Sequence, residues 1–391
     1  MLYAKETREI IEGFYRASPG AGEYNLVLET IAAFAEKELL PGAKAIDSGG
    51  VFPAENLKKV SDAGVMAMPF PADSGGLALP FPVYAAAVEI LSCACANTAL
   101  QVSIQGMVCE GIRAFGDVDQ KRRFLKDGGI TTGKALASFA LTEPCCGSDV
   151  KSIETRALFK DGGYVIDGVK TLITSPGLTD YTMLFAKTDK GISTFIVPAK
   201  APGFEVSRAI PKLGFKGHVL SEVRLAGCRV PEENLIGEEG EGFEHIKHVL
   251  NYGRVTIAAI AVGIAEAALA KSLFYSKERK AFGKAISEFE LTQEKLSDMA
   301  TGINASRLLV FHAASLKEAG KDFALAASQA KLFSTETALK AADAAIQIHG
   351  GYGYTDEYDV HRHWRDARLL TIGEGTSEVL RLLIARLVLK G

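Results

Sequence analysis

Residues 155–174, TRALFKDGGYVIDGVKTLIT, decide the class of the fold. Polar and apolar side chains alternate on both sides of Asp161-Gly162-Gly163, the pattern of two half-buried strands joined by a tight turn. The texture continues through YTMLFAKTD (181–189), ISTFIVPA (192–199), GFEVSRAI (203–210) and SEVRLAGCRVP (221–231), punctuated by Gly, Asp and Pro. Strands therefore fill the middle of the chain.

Both flanks read as helix. In NLVLETIAAFAEKELL (25–40), Leu28, Ile31, Ala35 and Leu39 form one stripe, and Pro41 follows as a stop. Residues 82–116 are Ala-rich and interrupted late by glycines, as in helices packed through small residues. After Gly242, RVTIAAIAVGIAEAALAKSLFYSKERKAFGK (254–284) carries no proline, and its Ala, Ile and Val content implies burial on several sides. Residues 321–349 lack Gly and Pro, and Gly350-Gly351 closes that segment. The last helix places Leu380, Leu383, Ile384 and Leu387 on one face. The expected fold class is α+β, divided into an all-α helical domain (1–132), a β domain of barrel or sandwich type (133–238) and a C-terminal helical domain (239–391).

With 391 residues, nearly half of them apolar, the chain is long enough for two or three cores. A net charge of −3 without a basic block argues against nucleic-acid binding. No unbroken run of about 20 apolar residues predicts a membrane span, and MLYAKETREIIEGF lacks the pattern of a secretory signal, so the cytoplasm is the expected compartment. The six cysteines are expected to be free thiols. Cys93-Ala-Cys95 and Cys145-Cys146 lack the paired CxxC units and nearby histidines of a tetrahedral site, so no metal is expected. His361 and His363 flank Arg362 in a charged stretch and are expected at the surface.

Several short stretches could carry chemistry. Gly147-Ser148-Asp149 follows a predicted strand, either as a plain tight turn or as a cradle of N–H groups for an anion. Arg279-Lys280 ends a helix, where cations suit the negative terminus without any ligand. In IGEGTSEV (372–379), Glu378 falls in the first turn of the last helix, with Thr376 as its N-cap, and so has a structural reason. Glu374 lies outside that helix between Gly373 and Gly375, where bare backbone lets another molecule approach. It is the better catalytic candidate.

Taken in order, LTEPCCGSDV (141–150), KTLITS (170–175), ERKAFGK (278–284), QIHGGYGYTDEYDVHRHWRDAR (347–368) and IGEGTSEVLRLLIAR (372–386) resemble the successive motifs of the acyl-CoA dehydrogenase family. The resemblance covers almost the whole chain and implies a C-terminal four-helix bundle and FAD as cofactor. It assigns one wall of the flavin site to Phe139, Leu141, Thr142 and Ser148, and a second to Leu172, Ile173 and Thr174. Thr142 would bond the isoalloxazine ring, Thr174 would bond near N5, and Ser148 would lie by the pyrophosphate and the thioester arm. Arg279, Phe282, Gln347, Gly350 and Gly351 would reach the FAD of a neighbouring subunit, with Thr376 and Glu378 beside the nucleotide. A shared site implies a homo-oligomer, a dimer or a homotetramer of two dimers. The implied substrate is an acyl-CoA thioester, and the implied electron acceptor an electron-transfer flavoprotein.

The implied reaction is α,β-desaturation. Glu374 would take the α-proton, and the β-hydrogen would leave as hydride to the flavin. The backbone N–H of Glu374 and a ribityl hydroxyl would polarise the carbonyl. The family's second base position falls here at Gly253, which carries no carboxylate, while Asn251, Arg254, Gly373 and Gly375 would line the substrate. Four positions depart from the family pattern: Leu172 replaces an aromatic, His218-Val219-Leu220 replaces Ser-x-Thr, Glu290 replaces a glutamine, and Gly373 replaces a tyrosine common in straight-chain members. Gly373 either widens the cavity for a short branched or alicyclic acyl group or is compensated by another side chain. CACANTALQVS (93–103) has no arginine for a dicarboxylyl group, and Gln101 offers only a neutral polar contact. The same scaffold run backwards would be an enoyl-CoA reductase. Lyases of the desulfinase type lack the base glutamate that this chain retains.

Overall fold

A computed structural model describes residues 5–14 and 20–390, so Met1–Ala4 of the N-terminal stretch lie outside the described residues. Helices α1 (Lys5–Glu12), α2 (Ala21–Phe34), α3 (Ala43–Gly49), α4 (Ala54–Asp62), α5 (Phe81–Phe115) and α6 (Val118–Gln120) precede the strands. The stripe of Leu28, Ile31, Ala35 and Leu39 is buried along its whole length. Helix α5 runs 35 residues and passes through Gly106, where a Cβ would come within 2.7 Å of the Tyr252 hydroxyl. The break in this helix falls at Cys95 (φ −153°, ψ 96°), not at a glycine as its sequence led one to expect.

Strands β1 (Ala137–Ala140), β2 (Arg156–Lys160), β3 (Gly163–Thr174), β4 (Tyr181–Thr188), β5 (Gly191–Pro198), β6 (Phe204–Val206), β7 (Leu220–Pro231) and β8 (Leu235–Ile236) form one sheet in the order β6-β7-β3-β2-β4-β5-β8, with β1 beside β4. The quoted stretch is the β2–β3 hairpin. Asp161 (φ 55°) and Gly162 (φ 76°) make its two-residue turn, both left-handed as such a turn requires. Most pairs are antiparallel, but β1 and β2 both lie parallel to β4. A bulge between Lys170 and Ile173 forces Leu172 to φ 57°. Ile166, Leu184, Phe195 and Val223 anchor a separate core inside the sheet.

Helices α7 (Gly242–Glu278), α8 (Glu290–Glu318), α9 (Ala324–His349), α10 (Val360–Leu370) and α11 (Ser377–Val388) complete the fold. Between α7 and α8 a small hairpin joins β9 (Lys280–Ala281) to β10 (Lys284–Ala285). Helices from both ends of the chain share one large core. Buried Arg307 of α8 ties them together, reaching Glu89 of α5 at 2.8 Å and Glu266 of α7 at 3.0 Å. Helices α5 and α7 are each long and apolar enough to cross a membrane, although polar residues interrupt both. Their apolar windows are mostly buried as they pack on one another, as core helices do.

The expectation of surface histidines fails at His363. Val360, His363, Ala367 and Leu370 form the inner stripe of α10, so His363 is buried, with its imidazole pushed well below its ordinary value by burial and by nearby Arg362. Arg362 is buried too and donates to Asp359 at 3.0 Å. His361 is half-buried, 3.2 Å from Asp356.

Candidate active site

The segment from Thr371 to Thr376 links α10 to α11. The N–H groups of Ile372 and Gly373 both donate to the Leu369 carbonyl at 2.9 Å, and Ser377 N–H donates to Thr371 O at 3.1 Å. Thr376 caps α11, its hydroxyl accepting from Val379 N–H at 3.2 Å. Glu374 (φ 54°) and Gly375 (φ 101°) are both left-handed. For a side-chain-bearing residue that conformation costs about 1 kcal/mol or more, the kind of strain that gathers at functional sites.

This conformation sends the Glu374 carboxylate against the first third of α7. A Cβ placed on Gly253 would lie 2.3 Å from Glu374 Oε2 and 2.8 Å from Met107 Sδ of α5. The two base positions named from sequence therefore converge on one point. Oε2 is enclosed and has no hydrogen-bond partner among the described residues. Burial raises the carboxyl to about 7, against the downward pull of Lys331 and Arg254. Such a group is poised to exchange a proton at neutral pH. Arg254 donates to Asn251 Oδ1 at 2.6 Å, while its buried Nε has no partner among the described residues. A Cβ built on Gly373 would make only ordinary contacts, with Leu369 O at 3.7 Å and Leu369 Cδ1 at 3.9 Å, so a side chain there would not clash. Glu378 is exposed, and hydrogen bonds from its own N–H and the Thr376 hydroxyl keep it below the ordinary carboxylate range. Lys331 escaped the sequence reading because a lysine inside a long helix resembles a solvated one. It is buried, and its Nζ donates to Gly375 O at 2.6 Å.

The two segments assigned to the flavin are stitched to each other. Thr171 N–H donates to Thr142 O at 2.9 Å, and buried Lys170 donates to Leu141 O at 3.1 Å and to Glu143 at 2.6 Å. Glu143 also accepts from Glu154 N–H at 2.5 Å and Thr155 N–H at 3.1 Å. Its carboxylate lies within 4.8 Å of the Cys145 and Cys146 thiols, but with its lone pairs so engaged that trio makes a poor metal site. Phe139 packs on Phe185 with ring centres 5.2 Å apart, and Leu141 and Ile173 are buried. Thr142 and Thr174 are half-buried and Ser148 is exposed. The bulge leaves Leu172 54% exposed. His218, where the sequence departs from the family, is buried between the Ser175 hydroxyl at 3.2 Å and Asn97 O at 2.7 Å.

Arg279, Phe282, Gln347, Gly350 and Gly351 gather elsewhere. Arg279 follows the end of α7, about 37 Å along that helix from Arg254. Arg279, Gly350 and Gly351 line a hollow of about 470 Å³ with Tyr275, Ile286 and His349. Phe282 and Gln347 line the adjoining hollow of about 270 Å³. Phe282 (φ 50°) and Gly283 (φ 83°) form the tip of the β9–β10 hairpin, where the ring is 97% exposed.

The residues present fit a bound flavin. Thr142 and Thr174 offer hydroxyls beside an exposed apolar Leu172 held out by a strained bulge, and an unpartnered carboxyl is available to substrate. Family models agree: the acyl-CoA dehydrogenase N-terminal, middle and C-terminal domains match residues 22–129, 138–228 and 240–389. The Bacillus subtilis protein named probable acyl-CoA dehydrogenase YngJ is 42% identical over 375 residues, 94% of this chain and 98% of that protein. Butyryl-CoA dehydrogenase from Megasphaera elsdenii is 36% identical with a TM-score of 0.91, covering 94% of this chain and 98% of that one. A glutaryl-CoA dehydrogenase from Mycobacterium smegmatis, in complex with FADH2, is 29% identical with a TM-score of 0.89, covering 94% and 95%. This chain belongs to the acyl-CoA dehydrogenase family, FAD-dependent oxidoreductases of acyl-CoA thioesters.

Proposed function

We propose that the protein desaturates a short acyl-CoA between Cα and Cβ, with Glu374 as the base. The observation that carries this reading is the enclosed Glu374 Oε2, without a hydrogen-bond partner among the described residues, beside the bare backbone of Gly375. Its ionised form takes the α-proton. The N–H of Glu374 hydrogen-bonds the thioester oxygen as negative charge develops there, which Gly375 permits by carrying no side chain at the approach. Arg254 and Asn251 hold the thioester arm along α7. When bound, FAD supplies the two-electron acceptor for the β-hydride. Thr142, Leu172 and Thr174 orient that acceptor against the substrate, and Ser148 lies at the mouth.

For the acyl group, a short branched or alicyclic chain is the reading we favour. The bare Gly373 supports it, because a Cβ there would meet nothing tighter than ordinary contact with Leu369, at 3.7 Å and 3.9 Å, which leaves room beside the base for an acyl branch. Exposed Phe282 and the two hollows beside it fit a site completed by a second copy, in a dimer or a tetramer. An electron-transfer flavoprotein is the acceptor we favour, with electron exit altered where Leu172 replaces the family's aromatic, and six free thiols suit the cytoplasm. The test is anaerobic mixing of the purified yellow protein with butyryl-, isobutyryl-, isovaleryl- and cyclohexanecarbonyl-CoA, watching flavin absorbance. Bleaching by the branched or cyclic thioesters at least as fast as by butyryl-CoA is expected. Faster bleaching by butyryl-CoA would overturn the acyl assignment, and no bleaching by any of them the activity.

A further inference from the structure

Lys331 is costly to bury, and its surroundings do not explain it as an ordinary ion pair. Its side chain on α9 is fully enclosed, and its one short hydrogen bond goes to a backbone carbonyl, Gly375 O at 2.6 Å. That carbonyl belongs to the residue after the base, in the only pair of consecutive left-handed residues that includes a glutamate among those described. The peptide plane that Lys331 grips therefore fixes how Glu374 presents its N–H and its carboxylate. The charged groups around the pair come from three helices: Arg254 of α7 faces both Glu374 and Lys331, and Glu336 of α9 and Glu378 of α11 face Lys331.

We infer that Lys331 is a positioning residue for proton abstraction: its ammonium pins the Gly375 carbonyl, holding the strained loop in register, and its charge keeps the neighbouring carboxylate ionised in an enclosed site. The inference rests on Glu374 being the base. Burial pushes Glu374 up, and Lys331 is first among the groups that oppose it. Burial likewise brings the lysine down to about 8, with Glu374 pulling it back up, so the two ionisations are linked. A lysine serving only to fill the bundle would stabilise the fold without affecting either the loop or the base.

The experiment compares Lys331→Met and Lys331→Arg with wild type as FAD-loaded enzyme. Two quantities are read: the acid limb of kcat/KM for butyryl-CoA, and hydrogen exchange in residues 371–376. For Lys331→Met the acid limb is expected to move up by about one pH unit, with at least a tenfold loss of kcat, and 371–376 is expected to exchange faster while α5 and α7 keep their protection. Lys331→Arg keeps the charge but not the 2.6 Å bond, so its acid limb stays and its loop exchange rises. If Lys331→Met does not fold, Lys331→Gln and Lys331→Arg carry the comparison. An unmoved acid limb and unchanged loop exchange in Lys331→Met or Lys331→Gln overturn the inference. So does a loss of protection spread evenly over the helices. Glu374→Gln separates the two readings: if it turns over normally the base assignment fails, whereas if it is inactive and the lysine variants behave as wild type only the role of Lys331 fails.

Discussion

Gly253→Ala is the most specific perturbation offered by the site. The added methyl carbon would sit 2.3 Å from Glu374 Oε2 and 2.8 Å from Met107 Sδ, whereas ordinary contact begins at 3.4 Å. The carboxylate must therefore retreat by about 1 Å, a displacement that costs a reacting group on the order of 10²-fold in rate. That loss corresponds to about 2.7 kcal/mol in the barrier. Both colliding groups are free ends of flexible side chains, so α7 itself can stay in place. Alanine is also favoured over glycine inside a helix by about 1 kcal/mol, which offsets the crowding. The variant should unfold within about 1 kcal/mol of wild type while reducing its flavin roughly a hundredfold more slowly. Anaerobic stopped-flow absorbance with butyryl-CoA measures the rate, and urea denaturation the stability. A folded variant within twofold of the wild-type rate would refute the placement of the carboxylate. A loss of several kcal/mol without a slower flavin step would show that Gly253 serves packing instead.

Other outcomes follow from the same geometry. Because burial raises Glu374 to about 7, kcat/KM should climb with pH through that value, by about tenfold per unit on the acid side. A folded-state value above the ordinary one means that this carboxyl contributes stability fully at acid pH, below its unfolded value, and loses it as pH rises through 7. Glu374→Gln should remove that part of the slope in urea titrations run between pH 5 and 8. Arg307→Leu strands Glu89 in the bundle core near Glu266 and should cost about 3–5 kcal/mol in urea unfolding; less than 1 kcal/mol would contradict the tie between α5, α7 and α8. Lys170→Met removes the 2.6 Å partner of Glu143, so the loop that holds Thr142 should loosen and FAD should dissociate faster on dilution, read by flavin fluorescence. Phe282→Asp places a charge at the hairpin tip and should lower the mass seen by sedimentation; an unchanged mass would remove that tip from the subunit contact.

What could be read in advance was whatever depends on local periodicity. The Leu28–Leu39 stripe, the turn at Asp161-Gly162 and the glycine stop at Gly350 all depend on side chains a few residues apart, and each is where its pattern placed it. The parallel pairing of β1 with β4 joins residues more than 40 positions apart, and no local pattern encodes it. The kink at Cys95 was illegible because cysteine is no helix breaker. Buried polar residues were the hardest to place. His363 and Arg362 read as surface residues, and Lys331 drew no notice, because a charge cannot reveal from sequence that a partner waits inside. At the site itself, Glu374 stood out through its glycine neighbours. That Gly253 occupies the same point in space as its carboxylate, and that Lys331 grips the next carbonyl, required the fold.

The central claim is that Glu374 removes the α-proton, and one comparison tests it most directly. Wild type and Glu374→Gln, both loaded with FAD, are mixed anaerobically with butyryl-CoA and with the branched and cyclic thioesters, and flavin absorbance is followed. Wild type should bleach with at least one of these thioesters. The glutamine variant should bind the same ligand, seen as a shifted flavin spectrum, yet reduce its flavin at least about 10³-fold more slowly. Bleaching of Glu374→Gln at the wild-type rate would contradict the account.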